Sequence, residues 1–139
     1  MRKRYGLTWG RLFFGFERST IVIKGERYMD RWIIYFIGTL RLHKIYCPDH
    51  GRNGELHNHP WWFVTFPLRG YVEITCAEGA FRQHYVEPYR FHYRPLDYQH
   101  RIVALEGDRP IWTIVLTGPR VQKWGFFDGF GNFTPHDKR

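Results

Sequence analysis

Runs of β-branched and aromatic residues recur along the chain, with turn-forming residues between them. The runs are Thr20 to Lys24, Trp32 to Ile37, Leu40 to Tyr46, Leu56 to Leu68, Tyr71 to Cys76, Phe81 to Val86, Arg90 to Tyr93, Arg101 to Leu105 and Ile111 to Thr117. The breaks are Gly38, Pro48-Asp49, Gly51 to Gly54, Arg69-Gly70, Glu78-Gly79, Pro88, Pro95-Leu96-Asp97, Glu106-Gly107-Asp108 and Gly118-Pro119. No window sustains an apolar period of 3.6, and Gly and Pro recur too often for long helices. Many short strands at this spacing, without helices between them, predict an all-β sandwich or barrel. Apolar stretches such as Trp32 to Gly38 fall far short of the roughly 20 residues a spanning helix needs, so we expect a soluble chain with no membrane partner. The tail from Trp124 to Arg139, with Gly125, Gly129 and Gly131 among aromatics, reads as an ordered extension with a frayed polar end.

Composition fits one packed core. The 139 residues are 43% hydrophobic and 19% aromatic, which excludes wholesale disorder and allows one domain. The formal net charge is +8 with a sequence pI near 9.8, so the expected partners are anions: nucleic acid, nucleotides, acidic metabolites or acidic proteins. Arg2, Lys3, Arg4, Arg11, Arg18, Lys24, Arg27 and Arg31 concentrate the excess in the N-terminal stretch, where Tyr5, Trp9, Phe13, Phe14 and Phe16 interleave with them. Such a mixture can bind single strands, but no nucleic-acid motif accompanies it, and a solvated β surface is the favoured explanation. Cys47 and Cys76 are too few for a disulfide framework and read as reduced thiols, Cys76 in the core. The basic start is interrupted by Arg11, Glu17 and Arg18 before an export signal forms, so a cytoplasmic location is expected.

The chemistry lies in the histidines. His57 and His59 are one residue apart on a predicted strand, so alternation puts both imidazoles on one face. A third from another strand would complete a metal site, and His100, after the turn Pro95-Leu96-Asp97-Tyr98-Gln99, is best placed. At these residues the sequence resembles the cupins. Gly51, His57, His59 and Gly70 fit the spacing of the first cupin motif, and Pro95, Asp97 and His100 that of the second, with Asp in a Gly slot. More narrowly, Leu56-His57-Asn58-His59-Pro60-Trp61-Trp62-Phe63, Leu68-Arg69-Gly70, Leu116-Thr117-Gly118-Pro119 and Trp124-Gly125-Phe126 look like a group of small cupins of bacteria and their phages. The resemblance implies a cupin double-stranded β-helix, a jelly-roll barrel with an N-terminal strand extension. It would form one domain over 1–139, with basic strands in 1–50, the motifs in 51–117 and a C-terminal extension in 118–139.

This chain departs from the family where the chemistry is decided. The cupin Glu ligand falls on Phe63, and two further motif slots hold Tyr89 and Ala104. That leaves a three-histidine site, as in cysteine-dioxygenase-like cupins, or one completed by a nearby carboxylate, for which Glu73 and Asp97 are the candidates, or no metal at all. Arg94 and Arg101 flank the second motif and are candidates for holding an anionic ligand, and Trp61 for lining the mouth of the barrel. His43 lies on a strand that could pair beside the motif, whereas His84 and His92 read as satisfied strand or surface residues and His50 and His136 as loop residues. There is no Gly-x-Ser-x-Gly elbow, P-loop or CxxC pair, so serine hydrolysis, nucleoside triphosphate hydrolysis and zinc-ribbon binding have no support.

The resemblance permits several activities, because one fold hosts many. The first expectation is a mononuclear iron dioxygenase-type enzyme acting on a small molecule, with manganese, nickel or zinc as other metals. The second is a non-catalytic module that holds or sequesters an anionic small molecule such as a nucleotide, in a phage setting as an anti-defence device. The third is a nucleic-acid binder. A homodimer formed through exposed strand edges is also expected.

Overall fold

The computed structural model describes residues 2–49 and 55–138. His50 and Gly51, the first glycine of the motif, lie outside the described residues. The strands are β1 (Arg2–Trp9), β2 (Leu12–Ile23), β3 (Glu26–Tyr35), β4 (Thr39–Ile45), β5 (Leu56–His57), β6 (Phe63–Pro67), β7 (Tyr71–Ala77), β8 (Ala80–Val86), β9 (His92–Arg94), β10 (His100–Leu105), β11 (Ile111–Thr117), β12 (Gly125–Phe127) and β13 (Phe133–Pro135). Two single turns of 3-10 helix, Glu106–Asp108 and His136–Lys138, are the only helical segments among the described residues. No helix there is long and apolar enough to cross a membrane.

The strands form two antiparallel sheets. One has the order β1-β2-β3-β4-β11-β6-β9 and the other β13-β12-β5-β10-β7-β8. From β4 to β7 the chain changes sheet at every connection, and it does so again at every connection from β8 to β11. Ile45, Tyr71, Val86, Ile102, Leu105 and Ile111 close the core between the sheets, with Met29 packed against them. Burying each such side chain contributes about 1.5–3 kcal/mol.

Away from that cluster the inner face of the seven-stranded sheet is polar. Along β4, Thr39, Arg41 and His43 share the inward face with Ile45, while Leu40 and Leu42 point away. Along β11, Thr113 and Thr117 are buried and Ile114 and Leu116 are exposed. Polarity is therefore inverted relative to a sheet that hides its apolar side. Glu17 on β2, 1% exposed, anchors this inner face: Arg2 lies 2.9 Å from it, Arg4 and Arg31 each 3.7 Å, and the Tyr35 hydroxyl donates to it at 3.0 Å.

Several elements differ from the sequence reading. The chain is already extended from Arg2, and β1 pairs with the first two thirds of β2 around a tight turn in which Gly10 has φ +60°. Gly6, Gly10 and Gly15 interrupt the apolar alternation there and hid this hairpin. The run from Leu56 to Leu68 divides into β5 and β6, because Pro60 cannot donate to a ladder. Cys76 is half-buried on β7 and is not a core residue. The tail forms the hairpin β12–β13, joined to β5.

Candidate metal centre

His57 and His100 face each other across the β5–β10 pair, with ring centroids 4.7 Å apart. His59 lies just past the end of β5, so the two motif histidines do not share a strand, contrary to the sequence reading. Extended backbone through Asn58 still returns the second imidazole to the same side, 5.1 Å from His57 and 5.2 Å from His100. The C-terminal extension fixes that backbone. Asn58 exchanges hydrogen bonds with Gly125, donating its N–H at 3.2 Å and accepting the Gly125 N–H on Oδ1 at 2.8 Å. The Gln122 amide donates to the carbonyls of His59 at 2.8 Å and Leu96 at 2.7 Å, tying the first motif to the turn before the second. Nothing in the spacing of the motifs signalled these two anchors.

One nitrogen from each of the three histidines lies within 4.8 Å of the others, and Nε2 of His59 is 3.0 Å from Nε2 of His100. Two nitrogens each about 2.1 Å from one cation and at right angles would be about 3.0 Å apart. The donor set fits a divalent ion of the imidazole-binding class, such as iron, zinc or nickel. Burial, followed by the neighbouring His100, lowers His57 to about 4, and burial with His57 and His100 holds His59 well below the usual histidine value. Both rings are therefore neutral at pH 7, the form that ligates a metal.

The two candidate carboxylates take other positions. Glu73 on β7 is fully buried and accepts from His100 Nδ1 at 2.7 Å, Arg94 at 3.0 Å and the Tyr98 hydroxyl, with His84 Nε2 2.9 Å away. Burial pushes its carboxyl upward, but His100, Tyr98 and Arg94 outweigh burial and hold it at about 2. It stands behind His100, where it fixes the ring and turns Nε2 toward the cluster. Asp97 is exposed in its turn and does not join the cluster. Asp49, which the sequence showed only as part of a turn, stands 3.9 Å from His57 Nδ1. It accepts the Ile102 N–H at 2.8 Å and the Tyr28 hydroxyl.

The cluster opens on a cavity of about 110 Å³ between the sheets, lined also by Arg41, His43, Trp61, Phe63 and Thr113. Trp61 is one of the residues that line it. Arg94 is bound to Glu73 and stacked 4.6 Å from Tyr98, so it supports His100 and is not free for a ligand. Arg101 lies between buried His100 and Ile102 on β10 and points to the opposite face. Neither lines the cavity, and the arginine that does, Arg41, was not singled out because it is remote from both motifs. Among the other histidines, His92 bonds the Glu87 carbonyl at 2.8 Å and His136 stacks on Trp124. A wider cleft of about 370 Å³ lies between Lys3, Arg18, Thr20 and Arg27 and holds no acid, histidine or nucleophile apart from the Thr20 hydroxyl.

No family model matches the sequence, and no curated protein matches it in sequence. Solved structures do match in shape. Hydroxypropylphosphonic acid epoxidase from S. wedmorenis in complex with fosfomycin superposes with a TM-score of 0.53 at 8% identity, over 72% of this chain and 55% of that one. HEPD of Streptomyces albus, with 2-hydroxyethylphosphonate and Fe(II) bound, gives 0.56 at 12%, over 74% and 24%. Oxalate decarboxylase from Bacillus subtilis gives 0.54 at 15%, over 80% and 31%. The chain spans about half or less of the length of these proteins. Two facing antiparallel sheets, and neighbours of this one architecture, give the chain a cupin fold.

Proposed function

We propose that the protein is a mononuclear metal enzyme, with iron(II) as the metal and dioxygen-dependent oxidation of a small molecule as its reaction. The observation that carries this reading is the convergence of His57, His59 and His100 on one wall of the cavity between the sheets, with Glu73 behind His100. An iron(II) ion held by three imidazoles would keep vacant positions for dioxygen and a chelating substrate. The rest belongs to the chain. Glu73 accepts the His100 Nδ1 proton and so holds the Nε2 lone pair toward the cavity. Gln122 and Gly125 hold the backbone on either side of His59. Phe63, Ile102 and Val115 give the cavity an apolar flank. A water-sized group needs roughly 10–15 Å³ of such space, so the cavity suits a molecule of several non-hydrogen atoms.

A second reading is a module that holds an anionic small molecule, such as a nucleotide, without changing it. The net charge of +8 and the absence of a carboxylate among the three ligands favour it. Oxygen uptake by iron-reconstituted protein with small organic acids separates the two. Uptake that is lost in His57→Ala supports the enzyme. Absence of uptake, with a tightly bound molecule recovered unchanged, supports the module.

A further inference from the structure

The inner face of the seven-stranded sheet carries a cation that no carboxylate neutralises. Arg41 is 9% exposed and lines the same cavity as the three histidines. Its Nε donates to Thr39 Oγ1 at 2.9 Å, and Thr39 is itself fixed by a 2.6 Å hydrogen bond with Thr117. The guanidinium lies 4.6 Å over the Trp61 ring, and Trp61 is 5.9 Å from His59. Among the described residues no Asp or Glu is within ion-pair distance of it. Glu17, the acid on its own inward row, is already shared by Arg2, Arg4 and Arg31. Burial and the charge of Arg31 lower Arg41 to about 10, only partly offset by the more distant Tyr35 and Glu17, which leaves it protonated at pH 7 without a direct counter-ion. A desolvated cation without a counter-charge is unfavourable unless something else supplies one. His43, two residues along β4 and on the same face, has a buried Nε2 with no hydrogen-bond partner among the described residues.

We propose that Arg41 anchors an oxyanion, the carboxylate or phosphonate head of a small acid. The head lies beside Trp61 and His43, and the rest of the molecule is directed at the three-histidine wall. A planar guanidinium fixed at Nε presents its remaining N–H groups as a fork suited to two oxygens. This assignment rests on the cavity being the substrate site, and it replaces Arg94 and Arg101 in the anion-holding role.

The test is calorimetric titration of the full chain with acetate and with methylphosphonate, together with metal content and melting temperature. Wild type binds at least one probe. Arg41→Met weakens that binding at least tenfold, leaves metal content unchanged and melts higher, because an unmatched buried charge is gone. Arg41→Lys keeps the charge, loses the fork and binds several-fold more weakly than wild type. It carries the test if the Met variant does not fold. Unchanged affinity in either variant, or no binding of either probe by wild type, would overturn the assignment. Arg41-dependent binding by a protein that takes up no metal would sink the metal enzyme while leaving the anion site. Metal uptake with anion binding indifferent to Arg41 would do the reverse.

Discussion

Glu73 is the residue on which the geometry of the centre depends. It occupies no ligand position, yet its oxygens meet His100, Arg94, His84 and Tyr98. Glu73→Gln nearly preserves shape but removes the charge and one acceptor, so His100 loses its fixed tautomer. Groups in this supporting position typically change metal affinity 10–100-fold. Competition with a chromogenic chelator should show a loss in that range for Glu73→Gln, with the melting temperature of the metal-free protein little changed. An affinity equal to wild type would mean that His100 is oriented by the β-ladder alone. The motif spacing placed the histidines and raised Glu73 as a candidate. It could not show which face the carboxylate occupied, because β7 carries both buried and half-buried residues in alternation.

At the scale of elements, the N-terminal strands are joined to the sandwich through Glu17. Burial raises its carboxyl, but the hydrogen bonds from Arg2 and Tyr35 and the nearby arginine charges outweigh that and hold it below the usual value. A carboxyl lowered by folding contributes stability that is complete above its unfolded value near 4.3 and is lost as pH falls through the folded value. Denaturant melts should therefore weaken below about pH 4.5. Glu17→Gln should cost about 1.5–3 kcal/mol at pH 7 and show a flatter acid limb. A parallel acid limb in the variant would place the acid sensitivity elsewhere. The strands β4 and β11 were legible as short runs of aliphatic and β-branched residues bounded by turn residues. What alternation does not reveal is which set turns inward. Along these strands the aliphatic set Leu40, Leu42, Ile114 and Leu116 faces out and the polar set faces the cavity, so the usual assumption about burial hid Arg41. The break of one apolar run at Pro60 follows from proline's missing donor, whereas the anchors from Gln122 and Gly125 depend on contacts between segments more than 60 residues apart.

For the molecule as a whole, the three ligands join β5, β10 and the segment leading into β6, so an ion bound there links elements far apart in sequence. An ion that binds only the folded chain adds about 2.7 kcal/mol when present at 100 times its dissociation constant. For a chain of this length that corresponds to an upward shift in melting temperature on the order of 10 °C. The shift should vanish with a chelator and in His59→Ala, and a shift that persists in His59→Ala would place the ion elsewhere. The most direct test of the account is metal content by mass spectrometry on untagged protein, beside a His57→Ala/His59→Ala double variant. The account predicts near-stoichiometric divalent metal, chiefly iron, in the wild type and none in the folded variant. No metal in either, even after reconstitution, or equal metal in both, would contradict it.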